Sequence, residues 1–116
     1  MTQVIDRLII NIAQEFALTP GARNIEEGSF SGEEFLKAKL LPKFELALKQ
    51  GCSLLVDLDD TEGYATSFLE EAFGGLARKY GSDKVLKILE FKSDDEPLLI
   101  DEIKLYIKEA NGKPKK

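Results

Sequence analysis

The stretch Leu54-Leu55-Val56-Asp57-Leu58-Asp59-Asp60 constrains this chain more than any other. A short apolar run ending in acid fits a buried strand whose C-terminal end opens to solvent. A polar turn follows, in which Gly63 is the residue most tolerant of positive φ. Ser67 and Glu70 then stand three apart and read as a capping box at the head of a helix. Leu69, Ala72, Phe73, Leu76 and Tyr80 recur at helical spacing, so one face of that helix lies on the sheet. A strand, a polar crevice and a helix N-terminus in succession form the place where open α/β sheets usually carry function.

The flanks predict the order β-loop-α-β-α-β-α. Val4 to Phe16 reads as a strand with Leu8, Ile10 and Ile12 on one face, a helix being the other reading. Thr19 to Arg23 is a turn built on Pro20-Gly21, and Asn24 to Phe30 is loop. Ser31 and Glu34 form a capping box opening a helix that runs to Gln50, with Phe35, Leu36, Leu40, Phe44, Ala47 and Leu48 on its apolar face. Pro42 should kink or interrupt that helix and Gly51 should stop it. Gly81-Ser82-Asp83 reads as a turn and Val85 to Phe91 as another strand. Acid before Pro97 favours a helix start there, with Leu99, Ile103, Ile107 and Ala110 on one face and Asn111-Gly112 at its end. The expectation is a single α/β domain over residues 1–112, a small mixed or largely parallel sheet with about three helices packed on it. Lys113 to Lys116 reads as a disordered basic tail.

What the chain lacks narrows the chemistry. It has no histidine, which removes Ser-His-Asp and Cys-His catalysis and the usual zinc sites. Cys52 is the only cysteine, so no disulfide framework exists and a reducing cytoplasm is expected. It reads as a small buried filler. A net charge of −5 argues against nucleic acid or anionic lipid as partners. No run approaches the ~18 apolar residues of a membrane helix, and Asp6 and Arg7 interrupt any secretion signal. No cofactor is expected, and the oligomeric state is left open.

The run Val56-Asp57-Leu58-Asp59-Asp60-Thr61 resembles the first motif of haloacid dehalogenase-type phosphatases, a strand ending in Asp-x-Asp-x-Thr. That resemblance makes Asp57 a nucleophile and Asp59 a general acid, both helping to hold magnesium. The family carries the motif on its first strand, whereas about half of this chain precedes it. Lys92 and Asp94-Asp95 are the only stand-ins for its later lysine and acids. Read structurally, the acids solvate a strand end and a turn.

Three blocks point elsewhere. These are Pro20-Gly21-Ala22-Arg23, then Ser29-Phe30-Ser31-Gly32-Glu33-Glu34-Phe35, then Ser67-Phe68-Leu69-Glu70-Glu71-Ala72-Phe73-Gly74-Gly75-Leu76-Ala77-Arg78. Together they resemble a STAS-like family of small bacterial proteins of largely undefined function. The resemblance implies a fold similar to the anti-sigma factor antagonists. In those, a loop between strand and helix reads Asp-Ser-Ser-Gly-Leu, and a histidine-kinase-like ATPase phosphorylates its first serine. Aligned on Leu69 without gaps, Thr66 falls at that serine, Ser67 at the next, Phe68 at the glycine and Ala65 at the aspartate. The resemblance therefore implies a non-enzymatic regulatory module. Thr66 and Ser67 are its candidate phosphoacceptors, Tyr64, Glu70, Glu71, Arg78 and Arg23 its contact surface, and a histidine-kinase-like ATPase or another regulator its protein partner. A phosphate on Thr66 would lie by free helix N–H groups, while Glu70 and Glu71 would repel it. Binding of a small anion at the same helix end, without a switch, is a third reading. Gly74-Gly75 inside a helix costs about 1 kcal/mol per residue against alanine, which suggests close packing there.

Overall fold

The computed structural model describes residues 7–112, with side chains described through Ala110. Three strands, β1 (Arg7–Asn11), β2 (Ser53–Asp57) and β3 (Leu89–Lys92), form one sheet in the order β1-β2-β3, parallel throughout. Leu8, Leu54 and Leu89 share one register level, and Ile10, Val56 and Phe91 the next. Leu54, Val56, Ile10 and Leu89 are buried on this side, while Arg7, Ile9 and Glu90 on the other side are exposed. Parallel crossovers are nearly always right-handed, and two that step the same way across a sheet fall on the same face. The helices accordingly crowd one face and leave the other open, where Arg7 reaches across β2 to Glu90 at 2.9 Å.

Among the described residues the helices number five rather than about three: α1 (Ile12–Glu15), α2 (residues 32–50), α3 (residues 66–80), α4 (Ser82–Ile88) and α5 (Leu98–Gly112). A single 3₁₀ turn, Ile25–Glu27, sits in the loop before α2. The residues expected to extend the first strand beyond Asn11 instead turn into α1. Asn11 Oδ1 accepts the Gln14 N–H at 2.9 Å and Glu15 Oε2 accepts the Asn11 N–H at 2.9 Å, a reciprocal cap that ends the strand. The expected strand over Val85–Phe91 is shorter too. Residues Ser82–Ile88 are helical, because Val85 and Leu89 point inward at i, i+4 while Asp83 and Lys87 suit the two ends of the helix dipole. Ser82, expected in a turn, is instead the first residue of α4, and its hydroxyl ties that helix to α5 through the Ile107 carbonyl at 2.5 Å. Residues before Arg7 and the basic tail Lys113 to Lys116 lie outside the described residues.

Helices α2 and α3 each contain one π-helical turn, Leu36–Leu40 in α2 and Glu70–Gly74 in α3. In α2 the wide turn directly precedes Pro42, which has no N–H to offer the ladder. Gly51 then ends α2 in the left-handed region at φ 70. The core joins Phe35, Phe44, Phe68, Phe73, Leu69 and Leu76 to the sheet and to Ile103 and Ile107 of α5.

Candidate functional site

The register sets Asn11, Asp57 and Lys92 side by side at the C-terminal ends of β1, β2 and β3. Asp57 spends one oxygen on its own turn, accepting the Asp59 N–H at 3.0 Å, and the other on the Asn11 amide at 3.3 Å. Asp59 points inward and is only 5% exposed. Its carboxylate accepts the Asp95 N–H at 2.8 Å and the Lys92 ammonium at 2.6 Å. Burial opposes charge on Asp59, but the Asp95 N–H and Lys92 outweigh it and hold the carboxyl below its ordinary range. Lys92 is raised in turn, first by Asp59 and then by Asp94 at 3.1 Å. Asp60 follows in the left-handed region at φ 72, and its N–H donates to Asp95 at 2.9 Å. Asp57 and Asp59 thus fasten the end of β2 to β1 and β3. Among the described residues no three carboxylates or thiols gather in a metal-holding group.

Beyond the acids the chain reverses through Gly63 at φ 126. Tyr64, expected on a contact surface, is tucked inward. Its hydroxyl donates to the Leu58 carbonyl at 2.9 Å and its ring lies 5.9 Å from that of Phe68. Burial, with Asp57 and Asp59 nearby, outweighs a lowering bond to Thr61 and pushes the phenol up to about 12. A cavity of about 100 Å³ opens beside it, walled by Leu58, Thr61, Ser93, Asp95 and Leu99.

Helix α3 starts earlier than its sequence suggests. Ala65, with extended backbone, is the residue before the first turn and offers no side-chain cap, so Ser67 lies inside the helix and is not its cap. The physical reason lies at Glu70, the other half of the expected box. Its carboxylate is drawn away to Arg78 at 2.8 Å and to Arg23. Thr66 is exposed at the first helical position, and its hydroxyl lies within reach of Tyr106, whose phenol donates to Glu102 at 2.6 Å. Ser31, by contrast, caps α2 as its spacing predicts, accepting the Glu34 N–H at 3.0 Å. The Glu34 carboxylate reaches one residue further back, to the Phe30 N–H at 2.9 Å.

One turn along α3, both arginines singled out from the sequence converge on the paired glutamates. Arg23 bridges Glu70 and, at 3.5 Å, Glu71, while Arg78 approaches Glu71 at 4.0 Å. Arg23 comes from the loop before α2, which is stitched to the helix start by Gly32 N–H to Ala22 O at 2.8 Å and Glu33 N–H to Arg23 O at 2.9 Å. Burial raises the Glu70 carboxyl, but the two guanidinium groups outweigh it and the net displacement is downward. Arg23 is raised, chiefly by its bond to Glu70. Gly74 sits beneath this cluster, where a Cβ would lie 3.0 Å from Glu70 Oε2 and 3.3 Å from Arg78 Nη1. A Cβ on Gly75 would meet Leu36 Cδ2 at 2.8 Å, so the close packing expected at the glycine pair is against α2.

Sequence reasoning names Thr66, Arg23, Arg78 and both glutamates, and the structure clusters the four charged residues one turn along α3 from Thr66. Sequence reasoning misses Asn11, the contact of Thr66 with Tyr106, and the closure of Lys92 and Asp95 on Asp59. Only Asn11 carried a local signal, the Asn-x-x-Gln spacing of a helix cap.

Neither the curated proteins nor the solved structures contain a match to the chain. A family model does match residues 32–99, from the first turn of α2 through β2, α3, α4 and β3 to the start of α5. That is more than half of the chain and contains the strand–loop–helix unit just described. The chain belongs to the family described as STAS-like domain of unknown function (DUF4325).

Proposed function

We propose that this protein is a non-enzymatic regulatory module whose contact surface is the start of α3 with its Arg23–Glu70–Arg78 flank. The supporting observation is Thr66, an exposed hydroxyl on the first residue of a long helix without a side-chain cap, directly after the loop that leaves the central strand. Free N–H groups there favour an added anion. Glu102, held by Tyr106 beside Thr66, opposes it. A phosphate on Thr66 therefore changes the charge of the surface without needing to unfold it. A histidine-kinase-like ATPase or another regulator is the partner we expect to sense that change. In this reading Asp57 and Asp59 fasten strand ends and do no chemistry.

The test is affinity purification from the native cell with wild type, Thr66→Val and Thr66→Glu, followed by mass spectrometry for partners and phosphosites. Thermal melts of all three run alongside. The expected result is a partner retained by wild type and Thr66→Val and lost by Thr66→Glu, with all three melting together. Equal recovery by Thr66→Glu would mean that the loop is not the contact surface.

A further inference from the structure

At the opposite end of the sheet from Thr66, the C-terminal turn of α2 and the start of β2 face the outer side of α4. Between them lies a groove of about 440 Å³, within the size range of small-molecule sites. Its lining combines the half-buried apolar side chains of Leu48 and Ile88 with Cys52, Ser53, Lys84 and Lys87, and Ala47 lies buried behind it. The two lysines stand three apart on α4, so both ammonium groups share one rim. Neither forms an ion pair among the described residues, although the chain carries 21 acids against 16 bases. Apolar side chains and paired free cations lining one groove select for an apolar body carrying one negative charge. We propose that this groove binds a small amphipathic organic anion, its carboxylate or equivalent group on Lys84 and Lys87 and its hydrocarbon part against the half-buried Leu48 and Ile88.

The site is separate from the Thr66 surface, so it stands or falls independently of the proposed switch. A bound molecule would also cover Cys52, the only thiol in the chain. That supplies a second readout.

The test uses octanoate as the probe against the full chain, with backbone amide NMR to locate it and the rate of Cys52 modification by a thiol reagent to follow it. Octanoate should shift the amides of residues 47–53 and 84–88 and slow Cys52 modification at least fivefold at saturation. The variant Lys84→Ala/Lys87→Ala should weaken octanoate at least tenfold while melting as wild type does, and octanol should bind wild type at least tenfold more weakly than octanoate. The proposal is overturned if octanoate shifts no amides in the groove or shifts others instead. It is equally overturned if the double variant binds as tightly as wild type, which would leave the lysines as complements to the negative C-terminal end of α2 and nothing more.

Discussion

Replacing Gly32 by alanine sets two effects of known size against each other. Gly32 opens α2 directly after the Ser31 cap, where helix propensity favours alanine by up to about 1 kcal/mol. A Cβ there would lie 2.5 Å from the carbonyl oxygen of Phe68 and 3.1 Å from its Cα. Carbon–oxygen contacts settle near 3.3 Å, so one helix must retreat by roughly 0.8 Å. What must move is the backbone of α3, at a residue whose ring is fully buried against Phe35, and overpacking of this kind costs about 1–3 kcal/mol. Sterics therefore win, and Gly32→Ala should lose about 1–2 kcal/mol, lowering a urea midpoint by about 1 M. Gly75→Ala is the control, because its Cβ would meet only the end of the half-buried Leu36 side chain at 2.8 Å. A rotamer adjustment of about 0.5–1 kcal/mol there nearly cancels the gain in propensity, so this variant should stay within about 0.5 kcal/mol of wild type. A Gly32→Ala protein at least as stable as wild type would refute the claim that α2 and α3 touch backbone to Cα at this crossing. Equal losses in both variants would place the cost in the helices themselves.

Ser31→Ala should cost about 1 kcal/mol in a denaturant melt, since it removes a side-chain cap, whereas Ser67→Ala should change stability by less than about 0.5 kcal/mol. Tyr64 is raised to about 12, so its contribution is complete below the ordinary tyrosine value near 10 and is lost as pH climbs from there towards 12. Tyr64→Phe should therefore flatten the alkaline fall in melting temperature and remove the last-titrating tyrosinate signal. The depressed carboxyls of Glu70 and Asp59 act at the other end: their contribution is present above the ordinary carboxylate range near 4 and is lost as pH falls through their lower folded values. Asp59→Asn should make stability less steep in acid, and an unchanged slope between pH 4 and pH 2 would count against its bonds to Lys92 and Asp95.

The sequence was most legible where one residue's chemistry sufficed. Gly51, Ser31 and the apolar run of β2 each act through their own backbone or nearest turn, and each stands where its type predicts. The misreadings share a different cause, which is competition from partners far along the chain. Glu70 would serve Ser67 as a cap if Arg23, 47 residues away, did not claim its carboxylate. Val85, Ile88 and Leu89 favour strand by type, but packing against β2 and α5 lets only residues from Leu89 onward join the sheet. Thr66 came from the resemblance aligned on Leu69, whereas Arg23 stands out by its own chemistry, a guanidinium after the rigid Pro20-Gly21 turn, and the partner it meets is a surface glutamate. The closure of Lys92 and Asp95 on Asp59 needs the register of β2 and β3, which no local pattern announces.

Topology then explains why the polar groups sit where they do. Three parallel strands in sequential order, with both crossovers on one side, leave a sheet with one face buried by helices and one face bare. The two ends of such a sheet differ. Chain leaving the strand tips must turn back over the helices, so the C-terminal edge gathers loops, and Asp59, Asp60 and Tyr64 lie there beside the strand-end Asn11. The N-terminal edge receives helix ends instead, and the short Gly51-Cys52 link leaves the groove between α2 and α4 unfilled. Arg23 and Gly32 lock the loop before α2 onto α3, so the flank bearing Thr66 is held from both sides. A charge added at Thr66 would therefore fall on a flank braced by ion pairs and close backbone packing, and on the proposed reading its effect should appear in partner binding before it appears in the fold.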